Sequence, residues 1–332
     1  MTIYDIAEKA GVSSATVSRV LNDGTVRAAT KERVLRVIKK ENYIPDSRGI
    51  YLKKMQTKKI GLIVPDITNP GYPVTVKVVH DFLKNSGYHL ILGNTYGDIS
   101  EEKDILEMLQ RERVAGIIVE TCEGEDDTSL YPLFNSLVDN GVRIVFMGKK
   151  RDGLPVDVLT VDNMQGTYKI TRYLLNTGRK KVGFIAGRKD LRATEERLSG
   201  YTKAMNERNI AVDPTLVICD GEYNSEYGEK WGKELFRKGV DALACGNDLM
   251  AFGAARAAEK MKIKVPEDIA ITGFDDISLA SMVRPQLTTV RQPLAEIAER
   301  GCEILIERIE GKKTGDPEEI LFQPEIVLRE SA

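Results

Sequence analysis

Ser14, Ala15, Thr16, Ser18 and Arg19 crowd one short stretch of "AEKAGVSSATVSRVLND" (7–23). Together they offer small hydroxyl donors and acceptors, one methyl group and one guanidinium. That set suits the reading of base edges in the DNA major groove: hydroxyls meet several bases, a methyl packs on thymine, and a guanidinium grips guanine with two hydrogen bonds. Such chemistry needs the side chains on one exposed helical face, and the neighbouring residues supply the helix. Ile3, Ile6, Ala7 and Ala10 share a face of a first helix, which Gly11 stops. Ser13 is suited to cap a second helix whose inward residues are Val17, Val20 and Leu21. Small Ala7 and Gly11 let two short helices meet at a steep angle, and Val17 fills the gap. This is the helix-turn-helix arrangement, in which the second helix enters the groove. A third helix follows, with Val34, Val37 and Ile38 inward and Lys31, Arg33, Lys39 and Lys40 available to phosphates. The competing reading is a helical hairpin capping a larger domain. It needs apolar residues on the outer face, and none is left over.

Charge supports a polyanion partner for this head alone. Residues 1–60 hold 13 Lys/Arg against 6 Asp/Glu, whereas the remainder holds 35 against 44, so a net charge of -2 hides a basic arm on an acidic body. No leader-like segment opens the chain and no apolar run approaches a membrane span, which predicts a cytoplasmic protein without a membrane partner. The four cysteines, Cys122, Cys219, Cys245 and Cys302, lack paired spacing, and only His80 and His89 accompany them. Neither a zinc site nor any cofactor is expected. No G-x-G-x-x-G follows a strand, no phosphate-binding P-loop occurs, and no G-x-S-x-G elbow has a histidine to pair with, so no enzyme is expected.

From residue 58 onward, short apolar runs alternate with amphipathic stretches, as in a parallel sheet flanked by helices. The pattern occurs twice. "KKIGLIV" (58–64) returns as "KKVGFIA" (180–186), "VAGIIV" (114–119) as "VDALAC" (240–245), and "VRIVFMG" (142–148) as "DIAITGF" (268–274). The predicted body is therefore two doubly wound α/β lobes with a seam near residue 160. Such sheets bind ligands beyond the carboxyl ends of their strands, and two facing lobes make a cleft for a small molecule. The candidate ligand groups at strand ends are 66–72, Thr95, 120–122 and 148–151 in the first lobe, with 187–192, 220–223, Asn247, Asp248, Asp275 and Asp276 in the second.

"TIYDIAEKAGVSSATVSRVLN", "ENYIP" and a leucine seven residues beyond Pro45 resemble the lactose/galactose repressor (LacI/GalR) family of bacterial transcriptional regulators, and the likeness extends over nearly the whole chain. The resemblance implies base readout by Ser14, Ala15 and Arg19, with Tyr4, Thr16, Ser18 and Asn22 at phosphates or groove edges. It implies a head over 1–45 and a hinge helix over 46–57 whose Leu52 wedges into the minor groove, where an apolar side chain unstacks and bends the duplex. It further implies a core like a periplasmic sugar-binding protein, with a first lobe over 58–160 and 291–321 and a second over 161–290 and 322–332. One departure is Gly49 and Ile50, where the family commonly carries alanine and arginine. Glycine inside a helix costs about 1 kcal/mol relative to alanine, so this hinge should fold reluctantly away from DNA.

"RLSG" (197–200), "GND" (246–248) and "GFDD" (273–276) match the family's effector motifs. By that likeness Arg197 holds an anionic or hydroxylated group, Asn247 and Asp275 bond hydroxyls, and Tyr223 stacks on a ring face, while Tyr72 and Glu120 close from the other lobe. Plainer roles compete. Asp248 or Asp275 could be helix N-caps, Arg197 could pair with a neighbouring carboxylate, and Tyr223 could be a core aromatic. Gly71 and Gly148 stand where the family often offers sugar contacts, while Lys149, Lys150, Arg151, Arg188, Lys189 and Arg192 crowd the strand ends. The expected effector is thus a carbohydrate (a sugar, sugar acid or sugar phosphate), with the basic residues favouring the anionic members and a solvated surface as the alternative. The expected protein is a homodimeric repressor on a near-palindromic operator, answering to that ligand or to a partner protein. "LRESA" at the end carries no apolar heptads, so no tail-mediated tetramer is expected.

Overall fold

The computed structural model describes residues 3–21, 25–41, 57–120, 128–148 and 153–332. Asn22, Cys122, Lys149, Lys150, Arg151 and the hinge with Leu52 lie outside the described residues, so no structural statement attaches to them. The chain forms two compact units, Met1–Thr57 and Lys58–Ala332.

In the first unit, helices α1 (Ile3–Ala10), α2 (Ser14–Leu21) and α3 (Ala28–Lys40) enclose a small core. Ile6, Ala7 and Ala10 meet Val17, Val20 and Val34 there, with Val12, Val26, Val37 and Ile38 at its margin. Gly11 adopts φ +61°, a left-handed conformation that glycine takes without the steric cost a Cβ brings. It thereby reverses the chain after α1, and the Val12 N–H bonds the Ala7 carbonyl at 3.0 Å. Ser13 Oγ accepts the Thr16 N–H at 3.2 Å, satisfying one of the orphan donors at the start of α2. Lys9 pairs with Glu41 at 2.7 Å, tying α1 to the end of α3.

The second unit contains two parallel sheets. The first comprises β1 (Lys59–Val64), β2 (His89–Asn94), β3 (Gly116–Glu120), β4 (Arg143–Met147), β5 (Asp157–Val161) and β11 (Glu319–Phe322), in the order β11-β5-β4-β3-β1-β2. The second comprises β6 (Val182–Gly187), β7 (Val217–Gly221), β8 (Ala242–Cys245) and β9 (Ala270–Thr272), in the order β7-β6-β8-β9. The internal repeat appears directly as matching registers: Ile60 faces Gly116 in the first sheet as Val182 faces Ala242 in the second.

Apolar side chains on both faces of each sheet are covered by helices, as the continuous apolar runs demand. In the first lobe, α4 (Tyr72–Asn85) and α11 (Leu294–Ile309) seat Val79, Leu83, Ala298 and Leu305 against Ile60, Leu62 and Val145. In the second, α7 (Asn163–Asn176) and α8 (Arg192–Glu207) cover one face with Leu174, Tyr201 and Met205. Helices α9 (Ser225–Arg237) and α10 (Asp248–Lys260) cover the other. This last pair is backbone-close: a Cβ at Gly253 would collide with the Ser225 carbonyl, and one at Gly228 with the Met250 carbonyl.

Three chain crossings join the lobes. The first runs from β5 into α7, the second from β10 (Thr289–Arg291) into α11, and the third from β11 into β12 (Glu325–Val327). They lie side by side: β10 and β12 pair antiparallel, with Arg291 opposite Glu325. The Asp162 N–H bonds the Phe322 carbonyl at 3.0 Å. Among the described residues no helix is long and apolar enough to cross a membrane.

Candidate functional site

On α2, Val17 and Val20 turn inward while Ala15 and Arg19 are exposed and Ser14, Thr16 and Ser18 are half-buried. Because 3.6 residues make a turn, burying Val17 and Val20 leaves 15, 18 and 19 on the opposite side. Thr16 Oγ1 lies 3.0 Å from Ser13 Oγ, so that hydroxyl also holds the capping turn. Tyr4 is 72% exposed at the start of α1. Arg33, Lys39 and Lys40 lie exposed along α3, with Lys31 half-buried.

The second unit brings the predicted effector residues to the facing strand ends. Arg197 projects from α8 and is almost wholly enclosed. Its Nε donates to Asn163 Oδ1 at 3.0 Å, one terminal nitrogen donates to the Gly246 carbonyl, and its guanidinium carbon lies 3.9 Å from the centre of the Phe274 ring. The other terminal nitrogen stands 3.9 Å from Asp275 Oδ1. Asp275 accepts a 2.6 Å hydrogen bond from Gln292 on the second crossing. Burial pushes its carboxyl up to about 6, against the opposing pull of Arg197 and the Gln292 hydrogen bond. Glu120 closes β3 of the first lobe. Burial pushes it up to about 8, and the Asp275 charge adds to the rise. Asp275 therefore stands beside the Arg197 guanidinium, and Glu120 of the opposite lobe lies near enough to feel the Asp275 charge.

The remaining predicted residues are more committed to the fold. Asn247 caps α10: its Oδ1 accepts the Met250 N–H at 2.9 Å and its Nδ2 donates to the Tyr223 carbonyl at 3.2 Å. The N-cap role considered for Asp248 thus belongs to Asn247, which is 2% exposed, and the short helical turn after Asp275 starts from Ile277 rather than from that acid. Asp248 instead lies fully buried at the first position of α10, where its carboxylate accepts the Ile277 N–H and the Thr289 hydroxyl. Burial and the Asp275 and Asp276 charges raise its carboxyl well above the usual range, against those two hydrogen bonds. The Tyr223 ring fills the space left by Gly187 and Gly246, and its hydroxyl lies 2.7 Å from Thr194 Oγ1. Tyr72 rests on the core of the first lobe.

Two of the basic residues at the strand ends are paired locally. Arg188 is paired with Asp190 through two hydrogen bonds, and Arg192 with Glu196 at 2.6 Å. Local carboxylates thus offset the charge of these two guanidiniums, while Lys189 stays exposed between them.

Sequence reasoning missed Asn163, Phe274 and Gln292. Phe274 sits inside the quoted "GFDD" and Asn163 stands two residues beyond β5, so both were within reach. Gln292 carried no signal, because its role depends on the second crossing passing beside Asp275.

Comparisons agree with this architecture. The family described as "Bacterial regulatory proteins, lacI family" matches residues 2–46, and "Periplasmic binding protein-like domain" matches 171–332. The chain is 35% identical to the HTH-type transcriptional regulator RegA of Clostridium saccharobutylicum, covering 99% of this chain and 98% of that protein. Among solved structures it is similar to the transcriptional regulator CelR–cellobiose complex, with 30% identity, a TM-score of 0.74 and 100% of each chain covered. It shares its fold with the lac repressor dimer bound to operator and the anti-inducer ONPF, with a TM-score of 0.85, 24% identity and coverage of 100% and 98%. The chain belongs to the lacI family of bacterial regulatory proteins and is a DNA-binding transcriptional regulator.

Proposed function

We propose that this regulator is a cytoplasmic homodimeric repressor of carbohydrate metabolism. It reads a near-palindromic operator with Tyr4, Ser14, Ala15, Thr16, Ser18, Arg19 and Asn22, and opens the operator centre with Leu52. Its signal is a neutral, polyhydroxylated ligand held between the lobes, and it performs no catalysis. The observation that carries this reading is the Asp275 carboxylate standing 3.9 Å from the enclosed Arg197 guanidinium, just beyond β9. A sugar hydroxyl donates to a carboxylate and accepts from a guanidinium, so a neutral polyol satisfies both kinds of group. A sugar acid or phosphate would set its own charge against the Asp275 carboxylate, near a guanidinium already engaged by Asn163 and Gly246. The cellobiose held by one relative supports the ligand class. Tyr223 and Tyr72 serve as aromatic walls, and Asn247 fixes the second-lobe strand end through its cap. Ligand and operator affinities are coupled reciprocally through the lobe arrangement.

The test is a thermal-shift panel on the full chain with cellobiose, glucose and ribose against gluconate and glucose 6-phosphate. A ligand at 100 times its dissociation constant adds about 2.7 kcal/mol to stability, which is readily seen as a raised melting temperature. A shift with a neutral sugar that Arg197→Ala abolishes is expected. A shift confined to the acids or phosphates overturns the neutral class, and no shift with any probe favours a partner protein as the signal.

A further inference from the structure

Asp275 and Asp276 are consecutive, and both hold positive φ, +113° and +56°. Non-glycine residues keep such conformations only where their surroundings over-determine them, and here the surroundings are the crossings. Asp275 reaches Gln292, and Asp276 Oδ2 accepts from Arg291 Nε at 2.8 Å. Two adjacent acids thus hold two adjacent residues of the second crossing. The backbone adds a third tie, since the Asp275 N–H bonds the Val290 carbonyl at 2.8 Å.

Asp276 does more than its neighbour. Its other oxygen pairs at 2.6 Å with Arg329, which follows β12 beyond the third crossing. Arg329 in turn donates through Nη1 to the Leu287 carbonyl and through its backbone N–H to Thr288 Oγ1. The side chain of Asp276 is 7% exposed, so this carboxylate is enclosed between two guanidiniums belonging to the two strands of the β10–β12 ribbon and its continuation. Asp275 faces the cleft; Asp276, one residue on, faces the joint.

We infer that Asp276 is a positioning residue for the coupling between cleft and lobe arrangement. It anchors the ribbon, so a change at the Asp275 carboxylate is passed to the crossings through Gln292 and Arg291 instead of dissipating in a loop. Its regulatory meaning rests on the proposed ligand role of Asp275, but the experiment below needs no ligand. Its failure and the failure of the thermal-shift panel are therefore separable.

The full chain is spin-labelled on exposed positions of the two lobes, Asp104→Cys and Lys233→Cys, in a Cys122→Ser background. Cys219, Cys245 and Cys302 are buried. A second pair within one lobe, Lys203→Cys and Lys233→Cys, serves as the control. Labelled chain is diluted into unlabelled chain, and distances are read by pulsed electron–electron resonance. Asp275→Asn, which mimics a neutralised carboxylate, is expected to shift the inter-lobe distribution in the otherwise unchanged chain. Asp276→Asn is expected to broaden that distribution, to leave the control pair unchanged, and to abolish the response to Asp275→Asn. The inference is overturned by an inter-lobe distribution indifferent to either substitution, by equal broadening of the control pair, or by additive effects in the double variant.

Discussion

The guanidinium of Arg197 lies 3.9 Å from the centre of the Phe274 ring and 3.9 Å from Asp275 Oδ1, so the cation rests on a ring face while its edge addresses an acid one residue farther along the chain. A cation on an aromatic face away from water is attracted by the ring quadrupole, and Asn163 and Gly246 fix its orientation. Arg197→Met removes both hydrogen bonds and leaves the enclosed Asp275 without its neighbouring cation. Loss of about 3 kcal/mol in denaturant unfolding is expected, on the scale of breaking a buried charged contact.

The same cluster sets a pH dependence. Glu120 and Asp275 are raised above the values they have in an unfolded chain. Over the interval between unfolded and folded values the native state binds more protons than the unfolded one, so stability falls as pH rises. Their contribution is fully present below about pH 4 and is lost as pH climbs through about 6 for Asp275 and about 8 for Glu120. Melting curves of Glu120→Gln should match the unaltered chain near pH 4 and exceed it near pH 8. Coincident curves at both values would show Glu120 to be an ordinary solvated carboxylate.

Arg19→Ala tests the reading head. On an operator selected from random DNA by the unaltered protein, loss of a bidentate guanine contact lowers specific affinity by about 1–3 kcal/mol. Binding to random-sequence duplex should change far less. An equal loss on both DNAs would place Arg19 on phosphate alone.

Gly253→Ala addresses the core of the second lobe. The added methyl would meet the Ser225 carbonyl, so α9 and α10 must separate, at an expected cost of about 1–3 kcal/mol. Denaturant unfolding checks it: a lower midpoint with an unchanged slope is expected, and a midpoint equal to that of the unaltered chain would show that the two helices part at no cost.

Most of the architecture was legible in the chain because it is written in periodicity. The α2 face follows from Val17 and Val20, and the two sheets follow from three pairs of repeated apolar runs. At the site, Asp275 and Glu120 were found as strand ends, since a strand's end carries its residue into the cleft whatever the side chain does next, whereas Arg197, on a helix, was found through the family motif "RLSG". It could not decide what each group does there. Asn247 became the helix cap because its backbone enters α10, a matter of one residue in register against Asp248. The pairing of two basic residues was hidden for a related reason: Arg188 and Arg192 each have an acid two or four positions away, and each bonds to that neighbour. Gln292 was invisible because sequence order does not reveal which crossing lies beside which loop.

The three crossings have a mechanical corollary. With β10 and β12 bonded to each other and Asp162 bonded beside them to Phe322, the lobes are joined along a strap rather than at a point. A strap flexes about its own width and resists torsion. Any rearrangement of the two lobes is then compressed to nearly one coordinate, a swing angle, so that causes of different chemistry that produce the same angle leave the core in the same state.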